Sequence, residues 1–275
     1  MTGEQYQSML DRGTRRETPM EPDWQSRRDE EQPASHELPP LWDVVGKLRF
    51  LADRTRADIK AAVGKLSCYQ IHPTDMDYRA AVRIIQYLHT YPDIGPLLRH
   101  GKYHEGWIEP IGSCDASHLS DVDCRPRLGY EVRLFPGGAS VMTKSIKAGS
   151  VATSTFQAEL MAADEFCKET DWLKGLLKEL EIDQSDGTNT TIMQTDSRSV
   201  LDVILGEAVS HKSRHLIAKI HEVRQYHRLK EICAQFVPSV DNRSDLLTKP
   251  LPAAAHWKLT NLVMGLGEDY EPDYR

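Results

Sequence analysis

The chain has no cysteine pair at metal or redox spacing, no long apolar run and no surplus of positive charge. Its five cysteines (Cys68, Cys114, Cys124, Cys167 and Cys233) are odd in number, scattered and never arranged as CxxC. That argues against a zinc site or a disulfide framework and leaves free, mostly buried thiols. No stretch reaches the roughly 18–20 apolar residues that span a bilayer. Met1 to Asp11 is polar and lacks the apolar centre of a signal peptide, which places the protein inside the cell. The net charge of −7 speaks mildly against a dedicated nucleic-acid binder. No internal repeat divides the 275 residues, a length for one large domain or two small ones.

Residues 1–40 are polar, with Glu30-Glu31-Gln32-Pro33 and Leu38-Pro39-Pro40, and read as a disordered linker. Residues 41–104 carry apolar residues at helical spacing over 41–51, 58–69 and 75–91, a small helical unit. From about residue 107 the period becomes that of strands, over 108–116, 128–135 and 139–145, with Pro136-Gly137-Gly138 as a hairpin turn. A long amphipathic helix follows over 155–180, with Ser154 or Thr155 as N-cap. Then come a strand (190–195), a short helix (196–205), a basic helix (214–230), a strand (232–237) and helices over 244–249 and 253–263. Residues 264–275 read as an acidic disordered tail. This order predicts an α/β fold over 105–263. Its five-stranded sheet is mixed, the first three strands antiparallel, with helices on both faces.

Four acids fall on four of these segments. Asp115 ends the first strand, Glu159 lies in the first turns of the long helix, Asp196 ends the fourth strand and Asp245 follows the fifth. Carboxylates at strand ends and helix starts can converge into an all-oxygen pocket suited to Mg²⁺ or Mn²⁺. Each acid alone could equally be a helix cap or a solvated group. Asp164 and Glu165, farther along the long helix, read as solvated, and Tyr130 and Trp172 as core. The basic segment holds Lys212, Arg214, Lys219, Arg224 and Arg228 among its cations. It reads either as a solvated helix face or as a phosphate-contacting one.

In their order, Ser113-Cys114-Asp115-Ala116, Ser154-Thr155-Phe156-Gln157-Ala158-Glu159, Thr195-Asp196-Ser197 and Ser244-Asp245-Leu246-Leu247-Thr248-Lys249-Pro250-Leu251 resemble the ribonuclease H region of copia-type retrotransposon Pol polyproteins. Upstream, Thr55-Arg56-Ala57-Asp58-Ile59 and Arg83-Ile84-Ile85-Gln86-Tyr87-Leu88 are similar to the end of that family's reverse transcriptase. The resemblance covers residues 41–263. It implies a ribonuclease H-like fold and cleavage of the RNA strand of RNA–DNA hybrids. It makes Asp115, Glu159, Asp196 and Asp245 the catalytic, metal-binding carboxylates. Two Mg²⁺ or Mn²⁺ ions would serve them, bridged by Asp115, with Glu159 and Asp196 on the ion nearer the leaving oxygen and Asp245 on the one activating water. It also implies a cytoplasmic location, including retrotransposon particles, and a reverse transcriptase acting in cis or in trans. Nucleic-acid contacts would come from Lys212, Arg214, Lys219, Arg224, Arg228 and Arg243. The alternatives are an inactive nucleic-acid-binding remnant and a DNA-cutting nuclease of the same fold.

The sequence departs from the family at three points. The reverse transcriptase's Asp-Asp signature is absent, so no polymerase activity is expected of this chain alone. Cys124-Arg125-Pro126-Arg127-Leu128-Gly129 lacks the hydroxyl residues that often precede the second strand. The loop Pro238 to Arg243 lacks the His that many ribonucleases H carry, so either product release or proton transfer is slow or Arg243 substitutes.

Overall fold

The computed structural model describes residues 1–11, 13–25, 34, 37–98, 108–118, 123–182, 190–206, 211–267 and 270. Helices α1 (Gly3–Asp11), α2 (Leu41–Arg54), α3 (Lys60–Leu66) and α4 (Asp75–Thr90) precede the sheet. Strands β1 (Ile111–Ser117), β2 (Arg127–Arg133) and β3 (Ser140–Lys147) lead into α5 (Thr155–Glu179). Then follow β4 (Thr191–Thr195), α6 (Arg198–Leu205), α7 (Ile217–Arg228), β5 (Ile232–Phe236), α8 (Asp245–Thr248) and α9 (Ala253–Met264). The strand order is β3-β2-β1-β4-β5. β1, β2 and β3 pair antiparallel, while β4 pairs parallel with β1 and β5. This is the mixed, ribonuclease H-like sheet expected from the sequence.

Two apolar cores lie on opposite sides of the sheet. Cys114, Ala116, Leu128, Tyr130 and Val132 pack beneath α5, α6 and α7, and Ser154 caps α5 by accepting from the Gln157 amide at 3.1 Å. The second core joins α1 through α4 with Leu246, Leu247, Leu251, Leu259 and Val263. Helices α8 and α9 therefore complete the core of the helical unit. A buried polar link binds them. Arg56 and Tyr87 both donate to Asp58 Oδ2, at 2.7 and 2.8 Å, and the Tyr87 hydroxyl meets His256 Nε2 of α9 at 3.0 Å.

Several expectations are corrected. The amino-terminal segment is not wholly linker. Tyr6, Met9 and Leu10 stand at i, i+3 and i+4 on α1 and pack on the helical core, as do Met20 and Trp24. Of residues 26–36 only 34 is described. At the other end the tail begins by folding back: the Tyr270 carbonyl accepts from Asn261 at 2.9 Å, and the rest of it lies largely outside the described residues. Trp172 is 60% exposed. Only Cys114 and Cys167 are buried thiols. Among the described residues no helix is long and apolar enough to cross a membrane.

Candidate metal centre

The acids meet at one end of the sheet because β1 and β4 run parallel and finish side by side. Asp115 lies near the end of β1 and Asp196 directly follows β4. Asp245 opens α8, which crosses β2 on the same face. Gly129, the register partner of Asp115, makes that crossing possible. A Cβ there would stand 2.6 Å from Thr248 Cγ2 and 3.0 Å from Leu247 Cβ. Carboxylate oxygens of Asp115, Asp196 and Asp245 lie within 4.8 Å of one another. Glu159, buried on α5, faces the group closely enough that Asp115 and Asp196 act on its charge.

Neighbouring donors fix the aspartates. Thr248 Oγ1 donates to Asp115 Oδ2, and Ser239 Oγ donates to Asp196 Oδ2. Asn242 donates from Nδ2 to Asp196 Oδ1 at 3.2 Å and to the Cys114 carbonyl at 3.3 Å. Its Oδ1 accepts from the Ser244 amide at 3.2 Å. This one side chain thus ties β1, Asp196 and the start of α8 together. Lys249 Nζ stands 3.0 Å from Asp245 Oδ2 and 4.0 Å from Asp115 Oδ2.

Burial and mutual repulsion dominate the electrostatics. Burial first, then the charges of Asp115 and Asp196, push the Glu159 carboxyl up to about 9. Burial and then Asp115 raise Asp245 to about 7, against the opposing pull of Lys249. Burial acts to lower the Lys249 ammonium, but Asp115 and Asp245 outweigh it and raise its pKa. The Cys114 thiol, packed in the apolar core beneath α5, is held well above its ordinary range, by burial first. Glu159 Oε2 and Asp245 Oδ1 are buried without a hydrogen-bond partner. Acceptor oxygens stranded together at a cluster of carboxylates fit a hard cation.

Below this site the same sheet face carries a buried ionic group. Glu131 receives Arg133, Ser113 Oγ at 3.1 Å and Ser140 Oγ at 2.5 Å. Ser113 Oγ in turn meets Ser244 Oγ at 2.9 Å. Thr248, Lys249, Asn242 and Gly129 were not singled out from the sequence as site residues. The run Thr248-Lys249-Pro250 was visible there only as part of a motif.

The cations expected to hold nucleic acid divide. Arg214 and Arg228 are exposed; the side chain of Lys212 lies outside the described residues. Three others turn inward. Arg224 is 1% exposed and donates to the Val203 carbonyl at 2.6 Å. Lys219 is bound to Asp164, which is itself fully buried rather than solvated and also takes Lys168 at 2.9 Å. Arg243 is buried and donates to the carbonyls of Gly138 and Leu262, at 3.1 and 2.6 Å. Burial brings its pKa down to about 10. It therefore braces α9 and does not stand in for the missing loop His.

Comparison with known proteins gives a consistent placement. No family model matches the chain. The Pol polyprotein of transposon TNT 1-94 from Nicotiana tabacum is 30% identical over 215 residues, 78% of this chain and 15% of that protein. The secreted RxLR effector protein 161 of Plasmopara viticola is 32% identical over 135 residues, 49% of this chain and 91% of that protein. The chain thus spans about one seventh of the polyprotein it matches. Among solved structures, the N-terminal RNase H domain of rv2228c from Mycobacterium tuberculosis aligns with 51% of this chain and 91% of its own at 14% identity. Its TM-score is 0.40, which adds nothing to the strand order already described. The ordered motifs, the mixed sheet and the transposon relative place this chain in the copia-type retrotransposon Pol family.

Proposed function

We propose that this chain is a retroelement ribonuclease H that hydrolyses the RNA strand of RNA–DNA hybrids with divalent metal ions. The observation that carries the reading is the convergence of Asp115, Asp196 and Asp245 within 4.8 Å, with buried Glu159 beside them. These four residues would hold Mg²⁺ or Mn²⁺, two ions in the full reading. Such ions supply Lewis acidity at the scissile phosphate and a water acidic enough to attack.

The chain's own groups prepare that chemistry. Thr248 and Asn242 fix the directions in which Asp115 and Asp196 present their oxygens. Lys249 moderates the repulsion among the acids. The α5 face keeps water away from Glu159, which burial holds protonated at neutral pH until a cation is present. Hybrid recognition rests on duplex shape and the 2′-hydroxyl. A reverse transcriptase, in cis or in trans, would supply the hybrid.

One observation favours a second reading. Lys249 already sets a cation 3.0 Å from Asp245, as an inactive, nucleic-acid-binding remnant would permit. The deciding assay is cleavage of a labelled RNA–DNA hybrid in Mg²⁺ or Mn²⁺, beside Asp115→Asn. The expected result is RNA-strand cutting that falls about a thousandfold or more in the variant, the scale of losing a preorganised electrostatic group. Folded wild-type protein that binds the hybrid and cuts nothing in either ion would establish the remnant.

A further inference from the structure

A groove of about 650 Å³ runs between helices α2 and α3 and the open edge of β3. Its lining carries six cations, Arg49, Arg54, Lys60, Arg127, Lys144 and Lys147, against one acid, Asp53. In a chain of net charge −7 this is a marked local reversal. Lysines on an edge strand also discourage unwanted strand pairing. That account covers Lys144 and Lys147 but not Arg49 and Arg54, which face them from α2.

The cations differ in how they are held. Lys60 is fixed by the Thr143 carbonyl at 2.8 Å and by Asp53 at 3.2 Å. Arg127 donates to the Gly64 carbonyl at 2.8 Å, and Lys147 pairs with Asp123 at 2.8 Å. Arg49, which also pairs with Asp53 at 3.6 Å, Arg54 and Lys144 are exposed. The Lys60 ammonium is held below its ordinary range, by burial first and, against the pull of Asp53, by Lys144 and Arg49. The cations thus reinforce one another's field.

The groove opens at the end of the sheet that bears the acids. Ser117, Arg127 and Lys147 stand in register across β1, β2 and β3, and so do Asp115, Gly129 and Ser145. Strands lie about 4.8 Å apart, so Ser145, which lines the groove, is about 10 Å along the sheet from Asp115. That is within the span of a few nucleotides of duplex backbone.

We infer that this groove binds the sugar-phosphate backbone of the hybrid beside its cleavage point, the role the sequence offered to α7. The inference rests on the nucleic-acid reading above. It is tested on the full chain by fluorescence anisotropy with a labelled RNA–DNA hybrid, in Ca²⁺ and over 50–200 mM salt, the range in which phosphate contacts are felt. Arg54→Glu/Lys144→Glu is compared with Arg214→Glu/Arg228→Glu, which changes the net charge equally. The groove pair should raise Kd at least about tenfold more than the α7 pair. It should also flatten the slope of log K against log salt by about two, close to one per lost phosphate contact. Equal weakening by both pairs, or wild-type binding by the groove pair, would overturn the inference. Acetylation of Lys144 in the wild-type chain gives a reading that no variant's folding can disturb. The hybrid should suppress it, and unchanged reactivity at saturating hybrid would also overturn the inference. Cleavage is read separately. A chain that binds through the groove but does not cut loses the enzymatic reading alone. A chain that cuts with an indifferent groove loses only this inference.

Discussion

On β1 and β2, Cys114, Ala116, Leu128, Tyr130 and Val132 face α5, while Ser113, Asp115, Gly129, Glu131 and Arg133 face α8 and the helical unit. Both strands are buried along their whole length. Alternation of polar and apolar residues ordinarily marks a sheet with one wet face. Here the polar face is covered too. The cover is α8 with the helical core behind it, and Glu131 at its centre is satisfied by Arg133, Ser113 and Ser140. The apolar face stabilises by area and shape. The polar face holds charges at fixed separations, which a metal centre requires and a hydrocarbon core cannot provide.

The difference can be broken most sharply at neighbouring positions of β2. Glu131→Ala leaves Arg133 buried without its partner and should cost about 3–5 kcal/mol. Val132→Ala, on the other face, removes two methylene equivalents and should cost about 2 kcal/mol. Chemical denaturation of the two variants measures both. A smaller loss at Glu131 than at Val132 would mean that the polar face is not held by its ion pairs.

Gly129→Ala presses on Thr248 and Leu247 and should cost about 1–3 kcal/mol through overpacking. Because α8 carries Asp245, cleavage should fall by more than the stability loss explains. Rates measured well below the melting temperature would separate the two. Wild-type rates there would show that α8 need not sit so close to β2.

A smaller effect should appear with pH. Glu159 and Asp245 bind protons in the folded chain up to about 9 and about 7, whereas their ordinary values are 4.5 and 3.8. Between those limits the native state holds protons that the unfolded state has released, so stability falls as pH rises. Below the ordinary values the contribution is constant. The metal-free chain should therefore lose Tm steadily as the pH rises from 5 to 9. Glu159→Gln should flatten the slope. An unchanged slope in that variant would show that Glu159 is not the group held protonated.

Much of this was legible in the sequence. Period-2 runs marked each strand to within about three residues, and the four acids stood out because they end strands or begin helices. What failed was direction. The cations of 211–230 looked like one basic face, yet Arg224 reaches inward to a carbonyl and Lys219 to buried Asp164. A long, flexible side chain lets one helix position serve core or solvent, and a count of charges does not choose between them. Helix α1 was missed because its stripe of Tyr6, Met9 and Leu10 is short and set in polar sequence. The roles of Asn242 and Gly129 depend on contacts with residues far away in the chain, which no local pattern encodes.

The cation site at the end of the polar face is tested most directly by thermal melting with and without Mn²⁺ at pH 8, in wild type and Asp115→Asn. Without metal, the variant should melt higher, because one repelling carboxylate is gone. With Mn²⁺ the wild type should gain about 2.7 kcal/mol at a hundredfold excess over Kd, and the variant much less. No shift in the wild type, or an equal shift in both, would contradict a metal centre built on Asp115.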